Sequence, residues 1–184
     1  MPRYSTPAKK SVTVLVDSRE KLPLRFPSTM ILRPNNLLQS RNAYVVIFNV
    51  TTSVSCLSSV GCDYTIAGHE ATTRIERKGS PEELYANLAG FDSARQSRSF
   101  DKLVTDCAHP ILLLDFPMSQ MWRSSATTGV DIDAALVMDR LLTTRRVYNL
   151  ELYWTGIQSR RPTARHRIGE FALRLMLHHL AEVT

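Results

Sequence analysis

The run Ile75-Glu76-Arg77-Lys78 holds an acid and a lysine one residue apart. In a strand, side chains alternate faces, so Glu76 and Lys78 point one way while Ile75 and Arg77 point the other. One face then offers a carboxylate for a divalent cation with an ammonium beside it. Two more acids lie upstream, in Asp63-Tyr64 and in Val16-Asp17-Ser18-Arg19-Glu20. Asp63 and Asp17 can supply the further oxygen ligands that Mg²⁺ demands. Acids around a metal, with a lysine next to them, suit the hydrolysis of a phosphodiester.

Taken in order, Val-Asp-x-Arg-Glu, Asp-Tyr-x-Ile and Ile-Glu-Arg-Lys resemble the nuclease domain of the XPF-type structure-specific endonucleases, a branch of the restriction-endonuclease-like superfamily. That family reads Gly-Asp, a variable gap, then Glu-Arg-Lys-x-x-x-Asp. The matching residues are Asp63, Glu76, Arg77 and Lys78, with Asp17, Arg19 and Glu20 upstream. The stretch Pro110 to Phe116 resembles the apolar strand that follows. The likeness covers residues 12 to 20 and 60 to 116. The chain departs from the pattern in three places. Cys62 splits the Gly-Asp pair and reads as a bulge that re-aims Asp63. Glu82 stands where the family has its trailing Asp. Between Leu24 and Leu57 lies a stretch, including Leu32 to Val50, that has no counterpart and reads as an extra hairpin. None of these removes a carboxylate or the lysine.

The resemblance implies an α/β fold with a restriction-endonuclease-like central mixed β-sheet flanked by helices. It also implies a divalent-metal-dependent DNA endonuclease, with Mg²⁺ or Mn²⁺, cutting branched or flapped DNA in repair or recombination. The expected catalytic set is Asp17, Glu20, Asp63, Glu76 and Lys78. Asp63 and Glu76 are the first metal ligands, the Arg77 carbonyl a third, and Asp17 completes the sphere. Glu20 holds a second ion or orients water, or else pairs with Lys21 or Arg19 on the surface. Lys78 would hold developing negative charge. Arg19 and Arg77 are expected to clamp phosphate or the acids themselves.

These groups need a scaffold. Val12 to Asp17 is an apolar run ending on an acid and reads as a buried strand. Tyr44 to Val50, Asp63 to Ile66, Arg74 to Lys78, Ile111 to Phe116 and Val147 to Trp154 read as further strands. Ser80-Pro81-Glu82-Glu83 is a helix start, with Ser80 as N-cap, proline at the first position and Glu83 as the reciprocal acid. Glu82 is thereby left for the trailing-acid role. Helices are expected over Ser93 to Asp106 with Phe100, Leu103 and Val104 inward, and over Asp131 to Thr143 with Ile132, Ala135, Leu136 and Leu142 inward. A last helix, residues 163 to 182, turns Ile168, Phe171, Ala172 and Leu175 inward. Strands alternating with helices point to a mixed central sheet. Residues 1–10 read as a flexible basic arm and 11–184 as one nuclease domain, with residues 117 to 130 a mobile loop. No helix-hairpin-helix pair of the kind found in cellular members of the family is seen after Thr155.

The chain has 184 residues and a formal net charge of +6, which suits a polyanionic partner. No apolar run reaches membrane-span length, so no membrane partner is expected. Three cysteines without zinc spacing favour reduced thiols, in a bacterial or phage-infected cytoplasm or a eukaryotic nucleus. Arg95, Arg98 and Lys102 fall at helical spacing and are expected to hold DNA beside the catalytic strand. Arg160, Arg161, Arg165 and Arg167 could bind phosphates or be solvated surface. His178 and His179 read as helix-end residues favourable to the dipole, and His69 and His109 as loop residues. A self-dimer or partner subunit is compatible with the family. The alternative function is a catalytically inactive, nuclease-like DNA-binding partner; retention of Asp17, Glu20, Asp63, Glu76 and Lys78 favours activity.

Overall fold

The structure is a computed structural model and describes residues 8–32, 46–122 and 133–183. The elements run β1 (Ala8–Asp17), β2 (Thr29–Leu32), β3 (Val46–Ser55), β4 (Tyr64–Ile66), β5 (Thr73–Lys78), α1 (Pro81–Leu88) and α2 (Ser93–Val104), then β6 (His109–Leu114), α3 (Met118–Met121), α4 (Ala134–Val147), β7 (Glu151–Trp154) and α5 (Pro162–Val183). Among the described residues the seven strands form one sheet in the order β2-β3-β1-β4-β5-β6-β7. β1 and β3 are parallel, as are β5, β6 and β7. Only β2 and β4 break the direction: β2, at the edge, is antiparallel to β3, its one neighbour among the described residues, and β4 is antiparallel to both β1 and β5. The sheet is mixed, as expected.

Helices cover both faces. Ile75, Ile111 and Leu113 look toward α5, where they meet Ile168, Ala172, Leu173, Met176 and Leu177. Leu112 and Leu114 look the other way, onto Leu84 of α1, Phe100 and Leu103 of α2, and Val137 and Leu141 of α4. β6 is therefore apolar on both faces: Ile111 to Leu114 are all 0% exposed. That is the pattern of a central parallel strand.

Several boundaries differ from the sequence reading. β1 starts at Ala8, so the last residues of the expected arm pair with Val46, Ile47 and Phe48; residues 1–7 lie outside the described residues. The segment without a family counterpart contributes β2, hydrogen-bonded antiparallel to β3, which is the expected hairpin pairing. The stretch from Val147 is half helix: α4 ends on Val147, Asn149 turns at φ +50°, and β7 begins only at Glu151. The buried face of α4 is Ala134, Val137 and Leu141, while Leu136 and Leu142 face solvent. Asp133 sets that phase, its carboxylate accepting the Leu136 N–H at 3.0 Å. Ile132 and most of the expected mobile loop lie outside the described residues, although Met118–Met121 is a short helix. In α5, Phe171 is more exposed than expected and Met176 takes the deeper place.

Two glycines allow close approaches. Gly169 lies mid-helix in α5 because the loop after β1 crosses it there: a Cβ would meet the Arg25 carbonyl oxygen at 2.3 Å. Gly61 has φ +65°, and its Cβ would lie 2.6 Å from the Ser99 oxygen and 2.8 Å from the Lys102 Cβ. The expected bulge at Cys62 is thus a glycine turn pressed against α2, with the Gly61 N–H donating to Leu57 O at 3.0 Å. Gly61→Ala combines a left-handed backbone with a clash. We expect it to cost about 2 kcal/mol or more, read as a fall in the urea midpoint; an unchanged midpoint would show that the turn relaxes freely.

Candidate active site

β5 sets the floor of a cleft of about 430 Å³ whose walls are α1, α2 and the turn at Gly61. Alternation along β5 works as expected. Arg74, Glu76 and Lys78 face α2, and Arg77 faces away, toward Asp115 and Ser159. Lys78 Nζ donates to Glu76 Oε1 at 2.7 Å and to Gln96 Oε1 at 3.2 Å, and Gln96 Nε2 donates to Glu76 Oε1 at 3.2 Å. The triangle is buried, with Lys78 4% and Glu76 8% exposed. Burial pushes the Lys78 ammonium down, but the Glu76 and Glu83 carboxylates outweigh it and hold its pKa above the ordinary value. The site thus holds Lys78 as a cation.

Asp63 sits just before β4, its backbone clamped on both sides. Its N–H donates to Ile75 O at 2.8 Å and its carbonyl accepts the Asp17 N–H at 2.9 Å. Oδ2 accepts the Arg77 N–H at 2.8 Å. Burial and then the neighbouring Glu76 charge drive the Asp63 pKa well above that of a free carboxyl, against the Arg77 N–H and Lys78. Both acids line the cleft, and both offer hard oxygen donors. That donor set fits Mg²⁺ or Mn²⁺ at Asp63 and Glu76.

The other expected site residues are held by different partners. Asp17 is gripped by Arg19, whose Nε and Nη2 donate to Oδ1 and Oδ2 at 3.0 and 2.7 Å while the Arg19 N–H adds a third bond at 2.8 Å. That grip, followed by opposing burial, lowers the Asp17 pKa. The expected metal trio of Asp17, Asp63 and Glu76 does not converge. Among the described residues, only His109, Glu151 and His179 bring three such ligand atoms within 4.8 Å of one another. Glu20 points to Arg77 Nη1 at 3.2 Å and accepts the Leu22 N–H at 3.0 Å. It pairs with neither Lys21 nor Arg19 as the surface reading had it. Arg77 is buried among Asp115, Glu20, Ser159 and the Leu22 carbonyl, so it clamps acids and offers no guanidinium to phosphate. Arg19, 66% exposed at its side chain, lines the cleft.

Arg95, Arg98 and Lys102 line the cleft from α2, on the side the helical spacing implied. Arg95 pairs with Asp92 at 3.0 Å and Lys102 Nζ donates to Ser58 O at 3.1 Å. Two cleft residues escaped the sequence reading. Gln96 lies in the apolar stripe of α2 with Phe100 and Leu103, and a polar residue in such a stripe is the signal that marks it. Glu83 was given a purely local task as the reciprocal cap. Ser80 Oγ does accept the Glu83 N–H at 3.2 Å, but the Glu83 carboxylate takes the Gly79 N–H at 2.9 Å and lies 3.7 Å from Lys78. It is Glu83 that lines the cleft.

This arrangement defines a class: a mixed α/β sheet of the XPF-type nuclease fold, with Glu76 and Lys78 on β5 and Asp63 just before the neighbouring β4. The chain is similar to the solved structure of XPF from Aeropyrum pernix, with a TM-score of 0.52 and 16% identity over 89% of this chain and 60% of that one. It is also similar to XPF from Aeropyrum pernix in complex with DNA, with a TM-score of 0.50 and 16% identity over 91% of this chain and 66% of that one. The chain therefore spans less than two thirds of the length of either. No protein-family profile and no curated protein matches its sequence. No helix among the described residues is long and apolar enough to cross a membrane.

Proposed function

We propose that the chain is a divalent-metal-dependent DNA endonuclease acting on branched or flapped DNA, in repair or recombination. The observation that carries this reading is the juxtaposition of Asp63, Glu76, Lys78 and Gln96 at the floor of a cleft walled by Arg95, Arg98 and Lys102. Asp63 and Glu76 would hold Mg²⁺ or Mn²⁺. When bound, that ion supplies Lewis-acid stabilisation of charge on the phosphoryl oxygens. The remaining work falls to the chain. Lys78 presents a permanent positive charge, Gln96 keeps it and Glu76 aligned, and the stripe on α2 holds the backbone of the strand to be cut. The DNA complex of the similar Aeropyrum protein supports a nucleic-acid substrate.

The competing reading is a nuclease-like partner that binds DNA without cutting it. It draws on the Arg19 grip, which withholds Asp17. One experiment separates the two. Labelled flap, fork, four-way and linear duplexes are incubated with the protein in EDTA, Mg²⁺, Mn²⁺ or Ca²⁺. Cutting in Mg²⁺ or Mn²⁺, with binding alone in Ca²⁺, is expected; binding without any cutting would establish the partner role, and full activity in EDTA would remove the metal.

The basic wall has its own test. Each phosphate contact adds about 0.9 to the slope of log K against log salt. Replacing Arg95, Arg98 and Lys102 with glutamine should weaken binding to every DNA alike and flatten that slope by about 2 to 3. A triple variant with the parent's slope would move the DNA track to the segment from Arg160 to Arg167.

A further inference from the structure

We infer that His109, Glu151 and His179 form a second metal site, on the α5 face of the sheet, for a borderline divalent cation of the Zn²⁺ type. His109 is the first residue of β6, Glu151 the first of β7, and His179 lies near the end of α5. One carboxylate stands between two imidazoles: Glu151 Oε1 is 2.8 Å from His109 Nδ1, and Oε2 is 3.2 Å from His179 Nε2. The rings are stacked, with centroids 3.8 Å apart and planes 12° apart. Tyr153 Oη donates to Glu151 Oε2 at 2.9 Å and fixes the carboxylate from behind. Such an outer-shell donor is what an orienting partner of a metal ligand provides.

The spacing suits a small four-coordinate ion. With bonds of about 2.0 to 2.1 Å, neighbouring donors of a tetrahedral zinc shell lie roughly 3.3 Å apart. Both measured donor pairs are already near that length, and all three ligand atoms lie within 4.8 Å of one another. Closing the shell asks the two stacked rings to tilt away from parallel, by rotation about their side-chain torsions, so that both in-plane lone pairs meet one ion. Two imidazolium rings at this separation would repel, whereas neutral rings are the form that binds a metal. Two nitrogens and one carboxylate favour Zn²⁺, Co²⁺ or Ni²⁺ over Mg²⁺. The side chains of His109 and Glu151 are 27% and 29% exposed, so an ion can enter, and a water can complete the shell.

The site stands apart from the catalytic cleft in place and in chemistry. His109 shares the sheet face of Ile111 and Leu113, which pack on α5, whereas Glu76 and Lys78 face α1 and α2. An ion here would pin the end of α5 to the starts of β6 and β7. It needs no part of the nuclease reading.

The test uses the tag-free full chain, stripped with a chelator and dialysed. Zn²⁺ is titrated by calorimetry and followed by thermal unfolding, with Mg²⁺ as a separate arm. We expect one Zn²⁺ per chain, bound to the parent and to Asp63→Asn/Glu76→Gln alike. At about a hundredfold excess over Kd the melting temperature should rise by roughly 5–10 °C, while Mg²⁺ leaves this transition unmoved in the double variant. His109→Gln and His179→Gln, made separately, should each weaken Zn²⁺ by roughly a hundredfold or more. Co²⁺ in the parent should give the visible bands of a four-coordinate ion, a readout that stands even if a histidine variant folds poorly. Absence of a zinc-dependent shift and of those bands would overturn the proposal. So would parental affinity in both histidine variants, or loss of zinc in the acid double variant.

Discussion

Asp63→Asn is expected to abolish cleavage and, at the same time, to raise the melting temperature of the metal-free protein. The first effect follows from removing one of two hard ligands. Losing several kcal/mol of charge stabilisation on the reacting phosphate lowers the rate by about a thousandfold or more. DNA binding should stay within a few fold, because the α2 stripe is untouched. The second effect comes from burial. The Asp63 pKa in the folded protein lies above the 3.8 of a free carboxyl, through burial and the Glu76 charge. The folded state then holds this proton more tightly than the unfolded chain does. Without divalent ions, the contribution of Asp63 to stability is greatest below 3.8 and falls as pH rises from there through the folded-state value. Asparagine keeps an oxygen for the Arg77 N–H and carries no charge, so it removes that loss. Each kcal/mol of relieved repulsion should add roughly 2–4 °C. A variant that cuts at the parental rate would remove Asp63 from the site. A metal-free melting curve that is lower at neutral pH, or as steep in pH as the parent's, would refute the electrostatic account.

Arg77→Met is expected to be the most destabilising single substitution at the site, by about 3–5 kcal/mol. Arg77 projects from β5 to the face opposite Glu76, with Asp115 at 2.6 Å, Glu20 at 3.2 Å and Ser159 as a third partner. Burial opposes its charge, but the Asp115 and Glu20 carboxylates win and hold its pKa above the ordinary value. Truncation would strand Asp115, which is 0% exposed, beside a half-buried Glu20. Burial already pushes the Asp115 carboxyl up, so protonation at low pH should soften the loss. Adding Asp115→Asn to Arg77→Met should recover a large part of it. Unfolding free energies from urea titration decide the matter: a loss below about 1 kcal/mol would show that the network is not a structural keystone. Arg77→Lys should not rescue, since a point charge cannot serve Asp115, Ser159 and the Leu22 carbonyl together.

The local order of the chain was legible where one segment carries its own signal. Glu76 and Lys78 share a face because β5 alternates, and α1 begins at Ser80-Pro81 because the cap and the proline are adjacent in sequence. The fold class was legible for the same reason, strand after strand. What could not be read is what distant segments do to one another. Asp17 looks like a metal ligand until Arg19 folds back on it, and Glu20, which reads equally as a site acid or as a surface partner of Lys21 or Arg19, instead meets Arg77 from 57 residues downstream, on the far face of β5. Gln96 acquires its meaning only when α2 packs against Glu76. His109 and Glu151 are separated by 42 residues, so no spacing rule could join them. Val147 to Trp154 failed differently: a few alternating residues fit both a helix end and a strand, and only the left-handed Asn149 separates the two.

Arg74 adds one more relation. Its guanidinium donates to the carbonyls of Lys102, Leu103 and Thr105 at 2.8, 3.2 and 2.6 Å, where α2 ends and its own backbone donors run out. Arg74, Glu76 and Lys78 are alternate residues of one strand, so a single backbone segment bears both the proposed site groups and the peg that seats the basic helix. The cleft is thus gauged like a pair of callipers with one fixed jaw. On the proposed reading, phosphate gripped along α2 would meet the acids at a set reach, whatever bases lay above it. A shorter peg, as in Arg74→Lys, would leave both jaws intact and shift the cut by a nucleotide or blur it over several, a change visible on a sequencing gel and invisible in a binding curve.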